Sequence, residues 1–368
     1  MNILHFILGK ANPNRANGVN QVVYGLAKTQ TELGHNVKVI GLSQSTDKNF
    51  EVINRGNFNV EVFKRFSGKC EKRLHELIQN SDIIHLHGVW NFYNIKVGKY
   101  CKKIKKPYVV TAHGGYVKQN VKNSSYIQKL LYHVFWQKKL YERASFVQAL
   151  TREESSDILY YCKNANTITI PNAIEPDLKS VYTIKKRSKL KFGYIGRISK
   201  EKNLENLITA FSKLPQSILS TVELQIIGPK SKYCETLKKL ATELNISNQI
   251  HFVGPKYNND KVAALLDLDI YIHPSLMEGF SIAILEVLSL GIPAIITRTS
   301  NMAYYYNSNS FIMAEPTATD MARAIEEIIK RKDEWSHLSL NGRKLIQNKL
   351  TWEIVTKQMC DEYQKYIK

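Results

Sequence analysis

The 368-residue sequence is poor in the features that mark secreted, metal-binding or membrane-spanning proteins. Its cysteines lack C-x-x-C spacing, which argues against a zinc site or a disulfide framework and suits a reducing compartment. These cysteines are Cys70, Cys101, Cys162, Cys234 and Cys360. The first residues carry no basic segment followed by a long apolar run, so we predict no signal peptide, and no apolar run is long enough to span a bilayer. We therefore expect a cytoplasmic protein whose membrane contact, where there is any, is peripheral.

Acidic residues are scarce relative to basic ones. The chain has 52 Lys and Arg against 32 Asp and Glu, a formal net charge of +20, and residues 1–180 are the more basic half. Clusters such as Lys102, Lys103, Lys105 and Lys106 can bind nucleic acid, an anionic membrane surface or an acidic substrate, or can simply solvate the surface. Because aromatic residues are not interleaved with the basic runs, we do not expect a nucleic-acid partner.

The chain is longer than a single core usually supports, so two domains are expected. Short apolar runs alternate with segments of helical spacing throughout, which predicts doubly wound parallel sheets in an α/β fold. No G-x-G-x-x-G follows the first strand, which disfavours a dinucleotide cofactor. We predict a first domain over 1–175, a polar linker over 176–189, a second domain over 190–350, and a C-terminal helix over 351–368.

The stretch 269–297 is typical of a strand, loop, helix and strand. Glu286 is a carboxylate on an otherwise apolar helical segment, Ser281–Leu290, and a buried charge needs a partner. Glu278 lies just before that segment, where unpaired backbone N–H groups can bind an anion. An alternative interpretation is that Glu278 caps the helix and Glu286 pairs with a structural Lys or Arg.

A second motif follows the predicted strand Leu190–Ile195. Gly196-Arg197 ends the strand, and Lys202 follows five residues later at the start of a helix. Cations are unfavourable at a helix N-terminus unless an anion joins them, and Arg can bind a phosphate with two parallel hydrogen bonds. This spacing indicates a phosphate site.

Three histidines follow or end predicted strands of the first domain, at the edge where such sheets bind ligands. They are His85, His87 and His113. We interpret His85 as a structural group, since a lone histidine at a strand end is usually a satisfied hydrogen-bonding residue.

Together these motifs resemble those of the retaining glycosyltransferases of family 4, in particular bacterial surface-polysaccharide enzymes. Glu-Gly-Phe-Ser-x4-Glu at 278–286 and Gly-Arg-x4-Lys at 196–202 are similar to the family's donor-site motifs, and Asn17-Gly18 resembles its Gly-Gly loop. The resemblance covers nearly the whole chain. It implies the GT-B architecture, with two Rossmann-like doubly wound domains facing a cleft and a C-terminal helix that crosses back to the first domain.

The resemblance also implies the role of each matching residue. His113 and Glu278 would orient the transferred sugar as the catalytic residues. The expected donor-binding residues are Asn17, Gly18, Arg197, Lys202, Tyr257, Glu278, Gly279, Phe280, Ser281 and Glu286. Arg197, Lys202 and the amides of 279–281 would bind the diphosphate, Glu286 the ribose, and Tyr257 the base. His87 and Trp90 would lie on the acceptor side.

The implied reaction moves a hexose or N-acetylhexosamine from a nucleotide diphosphate sugar, with UDP the expected nucleotide, to a glycan or polyprenyl-diphosphate-linked acceptor in polysaccharide or O-antigen biosynthesis. We expect no cofactor and no metal ion, and a basic surface that meets an anionic membrane. Three alternatives stay open: a nucleotide-sugar epimerase of the same fold, a basic nucleic-acid-binding protein, and a catalytically silent sugar-binding module.

Overall fold

A computed structural model describes residues 1–13, 18–116, 126–176 and 181–367. The chain forms two compact units. The first contains Met1–Ala173 together with Trp352–Lys368, and the second contains Ile174–Thr351. The C-terminal helix is thus part of the first unit.

The first unit is built on an eight-stranded sheet. Its strands are β1 Asn2–Leu8, β2 Asn36–Leu42, β3 Phe50–Asn54, β4 Asn59–Phe63, β5 Ile83–His87, β6 Tyr108–Thr111, β7 Phe146–Ala149 and β8 Thr167–Thr169. They lie in the order β3-β4-β2-β1-β5-β6-β7-β8, and every pair is parallel except β3 with β4. The reversal of strand order at β1 and β5 makes a topological switch point, where doubly wound sheets bind ligands.

Strand β3 is absent from the sequence-based prediction. It lies at the edge of the sheet with Phe50 and Val52 exposed, and Glu51 and Asn54 interrupt its apolar character. An exposed edge strand does not need the continuous apolar run that identifies a buried parallel strand. The first sheet is thus doubly wound and parallel as predicted, with one added antiparallel strand at its edge.

Helices cover both faces of the first sheet. They are α1 Gly18–Glu32, α2 Gly68–Gln79, α3 Phe92–Lys103, α4 Tyr126–Tyr132, α5 Lys138–Glu142 and α6 Arg152–Tyr161. Helices α4 and α5 are joined by a π-helical turn, His133–Gln137. Buried His133 contacts the Tyr116 hydroxyl and the Tyr161 carbonyl there. The π-helical turn thus places the His133 ring on the buried side of an amphipathic helical segment.

The second unit contains a six-stranded parallel sheet. Its strands are β9 Leu190–Ile195, β10 Val222–Ile227, β11 Ile250–Gly254, β12 Ile270–His273, β13 Ala294–Thr297 and β14 Ile312–Ala314. The order β11-β10-β9-β12-β13-β14 is that of a Rossmann sheet, with its switch point between β9 and β12. The helices are α7 Leu204–Ser212, α8 Gln216–Leu219, α9 Tyr233–Glu243, α10 Asn258–Leu266, α11 Ile282–Leu290, α12 Ala318–Lys330 and α13 Trp335–Lys349.

The last helix, α14 Trp352–Gln364, packs on α1 in the first unit. Gly25 makes this packing possible, because a Cβ at that position would lie 2.1 Å from the Trp352 indole. None of the helices in the described ranges combines the length and the apolar character needed to cross a bilayer.

The segment predicted as a linker is 176–189. Residues 182–187 of this segment are hydrogen-bonded to the second unit. The Tyr182 amide donates to the Leu290 carbonyl at 2.9 Å, and the Arg187 guanidinium donates to the Asp267 carboxylate at 2.6 Å. Both acceptors lie at helix ends of the second unit, at the end of α11 for Leu290 and just after α10 for Asp267.

Candidate active site

Two loops meet at the switch point of the second sheet. Gly196 and Arg197 follow β9, while His273 ends β12 and Ser275 follows it. The loops contact each other, since the Leu276 amide donates to the Glu201 carbonyl at 3.0 Å. The fold thus brings the two predicted donor motifs, 196–202 and 278–286, to one edge of one sheet.

Glu278 is the centre of a compact hydrogen-bond cluster. Its Oε1 accepts bonds from His273 Nε2 at 2.9 Å, from Ser275 Oγ at 3.0 Å and from the Lys202 ammonium. Tyr271 in turn lies with its hydroxyl 2.8 Å from His273 Nδ1. Three donors on one oxygen fix the rotamer of Glu278, so the carboxylate is held rigidly where a substrate hydroxyl can meet it.

The electrostatics keep this carboxylate ionised. Burial alone would raise the pKa of Glu278, but the hydrogen bond from His273 and the charge of Lys202 outweigh it and lower the pKa to about 2. Burial lowers the pKa of His273, against the opposing effect of its bond to Glu278. His273 is therefore neutral at pH 7 and donates through Nε2, and its Nδ1 accepts from Tyr271.

Lys202 and Asn203 end the phosphate motif. Asn203 has φ +58°, in the left-handed region, and its side-chain amide donates to the carbonyls of Pro274 and Pro316 at 3.0 Å. These bonds fix the start of α7 against the loop that carries Glu278. Asn adopts positive φ more readily than most residues, so it suits this turn.

Arg197 is exposed to solvent, whereas Lys202 is paired with Glu278 and mostly buried. The Arg197 side chain is 66% exposed, and its nearest recorded carboxylate partner is Glu201 at 3.6 Å. The Tyr194 hydroxyl donates to its backbone carbonyl at 2.8 Å, which anchors the main chain but leaves the guanidinium in solvent. An exposed Arg with a weak ion pair can turn toward an anionic ligand at little cost.

The loop between Glu278 and α11 is held by side chains that follow β13. Asn301 donates to the Glu278 carbonyl at 2.6 Å, and the Glu278 amide donates to the Thr299 carbonyl at 3.3 Å. Ser281 is the N-cap residue of α11, and within the described residues its side chain makes no capping bond. The first-turn amides of α11 can therefore bind an anion.

Glu286 pairs with Lys261 of α10. This matches one part of the alternative interpretation, a carboxylate paired with a Lys, although both side chains stay about one quarter exposed and can also meet a ligand. Tyr257 is 49% exposed and lines a pocket with its neighbours. That pocket consists of Pro255, Lys256, Tyr257, Asn258, Asn259 and Asp260.

In the first unit, His113 follows β6 with φ +53°, a conformation that costs energy for a residue other than Gly. The next amide, Gly114 N, donates to the Glu154 carboxylate at 2.7 Å, and Leu150 N donates to the same carboxylate at 2.7 Å. Thr151 caps α6 by accepting from Glu154 N at 3.1 Å, as the Thr-x-x-Glu pattern predicts. Burial raises the pKa of Glu154 to about 7 against those two backbone bonds.

His87 and Trp90, the residues predicted for the acceptor side, both pack against neighbouring rings. His87 is only 2% exposed and its ring contacts His5 and His113, so it lies beneath the surface and supports His113 from inside. Trp90 is partly buried, stacks on Tyr116 and donates from its indole to the Gly115 carbonyl at 3.2 Å.

The remaining predictions concern the loop after β1. Gly18 is the exposed first residue of α1, and Asn17 lies outside the described residues.

His85 of β5 is confirmed as a structural group, since its two ring nitrogens lie 2.5 Å from the Tyr363 hydroxyl and 2.6 Å from the Thr111 hydroxyl.

Sequence reasoning did not assign four residues that support the site. His273 and Ser275 orient Glu278, Lys261 pairs with Glu286, and Glu154 holds the His113 loop. Two of the four carried a sequence signal: His273 is a polar residue that ends a buried strand five residues before Glu278, and Glu154 lies in the Thr-x-x-Glu capping pattern.

Two family models match consecutive parts of the chain. "Glycosyltransferase Family 4" matches residues 16–178, and "Glycosyl transferases group 1" matches residues 178–345. The chain belongs to the family-4 glycosyltransferases. The second model contains Arg197, Lys202, Glu278 and Glu286, which confirms that the motifs identified from the sequence lie in a family domain.

The chain is also similar to curated proteins in sequence and to solved structures in fold. The capsular polysaccharide biosynthesis glycosyltransferase CapM of Staphylococcus aureus is 26% identical over 178 residues, 48% of this chain and 46% of that protein. The chain thus matches about half the length of such relatives. Among solved structures, sucrose-phosphate synthase from Thermosynechococcus elongatus has a TM-score of 0.79 at 18% identity, with 99% of both chains covered. HepE of Anabaena, solved in complex with UDP, has a TM-score of 0.76 at 16% identity, covering 99% of this chain and 100% of that one. The fold is therefore GT-B.

Proposed function

We propose that this protein is a retaining, metal-independent glycosyltransferase. It moves a hexose or N-acetylhexosamine from a UDP-linked sugar to a glycan acceptor carried on a membrane lipid, in surface-polysaccharide assembly at the cytoplasmic face of the membrane. The observation that carries the proposal is the edge of the second sheet, where a rigid ionised Glu278, the cations Arg197 and Lys202, and the start of α11 lie together. The relationship to CapM supports a polysaccharide product.

The diphosphate would bind the positive groups of this edge. Arg197 offers a planar pair of N–H donors, and Lys202 has three ammonium protons, so it can contact a phosphate while it stays bonded to Glu278. The amides at the start of α11 add further donors. Together they would stabilise the negative charge that develops on the leaving nucleoside diphosphate, which is the task a metal ion performs in other transferases.

The carboxylates would bind the sugars of the donor. Glu278 has one oxygen saturated by three donors, and its second oxygen can accept a hydroxyl of the transferred sugar. Glu286 stays partly exposed beside Lys261 and would accept from the ribose hydroxyls. The pocket at Tyr257 would take the base. The UDP complex of HepE supports a uridine nucleotide for a protein of this fold.

A thermal-shift screen tests the donor site. We expect one nucleoside diphosphate sugar to raise the unfolding temperature of the wild type in the presence of EDTA, and to raise that of Glu286→Ala much less. Glu243→Ala, an exposed carboxylate on α9, is the matched control and should respond like the wild type. If no nucleotide sugar stabilises the protein at millimolar concentration, the proposed donor site is wrong. If EDTA abolishes the shift, the proposed metal independence is wrong. The anomeric configuration of the product, read by proton NMR, tests retention.

The acceptor proposal rests on an exposed apolar surface in the first unit. We define the membrane patch as Phe92, Leu130, Leu131, Val134, Phe135 and Trp136, which are 38% to 58% exposed. All but Phe92 lie on α4 and the π-helical turn, and Phe92 meets Trp136 edge to face at 6.5 Å. Lys138 and Lys139 follow on α5. Apolar and aromatic residues beside Lys, on the surface of a helix, suit the interface of an anionic bilayer, where lipid-carried acceptors lie.

Vesicle sedimentation tests the membrane patch. The wild type should bind vesicles that contain phosphatidylglycerol, and binding should weaken as salt is raised. Leu131→Ser with Phe135→Ser should weaken binding by about tenfold or more, because each side chain would withdraw roughly 1.5–3 kcal/mol of apolar contact from the bilayer. Leu340→Ser, an equally exposed apolar residue of the second unit, is the control. Equal binding by the double variant and the control would contradict a membrane role for this patch.

A further inference from the structure

A row of polar side chains crosses the first sheet on one face. His5 of β1 is the register partner of His85 of β5, and Thr111 of β6 pairs with His87 on one side and with Gln148 of β7 on the other. All five are buried, while the opposite face of the same strands forms the apolar core of the unit. Because buried polar groups cost free energy unless they are hydrogen-bonded, the order of donors and acceptors along this row is constrained.

One end of the row is fixed by a backbone carbonyl. Gln148 Nε2 donates to Ile170 O at 2.9 Å, so Gln148 Oε1 must face Thr111, whose hydroxyl donates to it at 2.5 Å. Thr111 Oγ1 then accepts from His85 Nε2 at 2.6 Å. A neutral imidazole has one N–H, so His85 Nδ1 accepts from the Tyr363 hydroxyl at 2.5 Å.

A second branch begins at Gln30 of α1. Gln30 Oε1 lies 2.7 Å from His5 Nε2. An amide oxygen can only accept a hydrogen bond, so the imidazole N–H of His5 lies on Nε2.

The second branch ends at the active-site histidine. His5 Nε2 donates to Gln30, so His5 Nδ1 accepts from His87 Nε2 at 2.9 Å. His87 Nδ1 then accepts from His113 Nε2 at 3.1 Å. Burial lowers the pKa of His5 and of His113 to about 4 and that of His87 well below its usual range, so all three rings are neutral at pH 7 and each carries a single proton.

We infer that Gln30, His5 and His87 are positioning residues that hold His113 in the tautomer with its proton on Nε2. His113 Nδ1 is then the nitrogen with a lone pair, and it can only accept a hydrogen bond. This assignment rests on the proposed function. With His113 as an acceptor, the sugar of the donor must present a hydroxyl to its Nδ1. A sugar that lacks the O–H group at that position would leave the nitrogen without a donor and would be discriminated against. Gln30 lies on α1 and is joined to His113 by three hydrogen bonds that run through His5 and His87.

A metal ion is the competing occupant of this cluster. His5, His85 and His87 each have a ring nitrogen within 4.8 Å of the others, a spacing that ligands of one ion can have. Both nitrogens of His85 are already engaged, however, and one proton joins His5 to His87. An ion would have to break these bonds in a fully buried place without a carboxylate to balance its charge. The hydrogen-bonded row accounts for the ring nitrogens of all three histidines.

Nitrogen-15 NMR of the full chain labelled at histidine measures the tautomer directly. We expect His113 of the wild type, assigned by its absence in His113→Gln, to show a protonated Nε2 and an unprotonated Nδ1. Gln30→Leu removes the acceptor that sets the order, so His113 should become a mixture of tautomers. Gln30→Glu retains an acceptor and should restore the wild-type spectrum. Thr111→Val, which loses buried hydrogen bonds of the other branch, is the control and should leave His113 unchanged.

Activity gives the second readout. With the nucleotide sugar that the wild type uses, Gln30→Leu should lower kcat by about tenfold or more, as expected when a catalytic histidine presents the wrong nitrogen, while the Kd for free UDP stays unchanged. A wild-type His113 protonated on Nδ1 would overturn the inference, as would a Gln30→Leu protein with an unchanged His113 spectrum. Displacement of the His5, His85 and His87 signals by Zn²⁺ would also overturn it. The spectra need no donor, so an inactive wild type with the expected spectra would refute the proposed function alone.

Discussion

Replacing Glu278 with Gln is expected to lower kcat/KM about 10³-fold, in the range seen when one buried group that stabilises a transition state is removed. The Gln side chain has the same shape, but it has no charge to balance Lys202. Its amide would also present hydrogens to His273 Nε2 or Ser275 Oγ, which now donate to the carboxylate. Initial-rate measurements with the donor found by the screen give the loss.

Stability separates chemistry from folding in this variant. Glu278 has a pKa of about 2 in the folded protein against an ordinary 4.5, so its ionised form adds stability above about pH 4.5 that is lost as pH falls toward 2. Glu278→Gln should therefore unfold more easily at pH 7, and its stability should change less between pH 5 and pH 3. Adding Lys202→Met should recover stability without recovering activity, because the unpaired ammonium is removed.

Glu315→Gln is the matched control for Glu278→Gln. Glu315 also pairs with a cation, Arg298 at 2.7 Å, but it is 51% exposed, so its loss should change stability by no more than about 1 kcal/mol and leave the rate unchanged. A Glu278→Gln enzyme within fivefold of the wild-type rate would remove Glu278 from the catalytic residues.

The sheets could be predicted from the sequence because most strands are buried on both faces. A parallel strand such as Ile83–His87 lies between helix layers and must be apolar or internally paired along its length, which gives a short run with clear ends. Edge strand β3 has one exposed face, and its residues do not show such a run. The polar segment after 180 looked like a linker because hydrogen bonds to the ends of α10 and α11 leave no pattern in the sequence.

The candidate site divides in the same way. Arg197, Lys202, Glu278 and Glu286 were predicted because each lies within a local motif at a strand end or a helix start. Their partners His273 and Lys261 come from other loops and helices, and no local spacing connects Lys261 to Glu286. The histidine row is an intermediate case: His85 and His87 alternate along β5 and so share one face, but only the register of β1 and β6 brings His5 and Thr111 beside them.

Arg197→Ala is expected to weaken UDP binding by about 10- to 100-fold and to lower kcat/KM by about 10²-fold or more, because two parallel hydrogen bonds to a phosphate are lost at the point where negative charge develops. The guanidinium is 66% exposed and its partner Glu201 is 3.6 Å away, so the folded protein hardly depends on it. The unfolding temperature should stay within the error of the measurement. Titration calorimetry with UDP, at low and at high salt, measures the affinity and its electrostatic part.

Arg197→Lys shows whether geometry or charge matters at this position. Lysine retains the charge but not the planar pair of donors, so its UDP affinity should lie between those of the wild type and Arg197→Ala. Arg323→Ala is the control, since Arg323 is similarly exposed at 54% and pairs with Asp320 and Glu327 on α12. If all three variants bind UDP within twofold of the wild type, the diphosphate does not bind at Arg197, and Lys202 with the start of α11 would have to hold it alone. If only Arg197→Ala and Arg197→Lys lose affinity, the positive edge of the second sheet is the donor site.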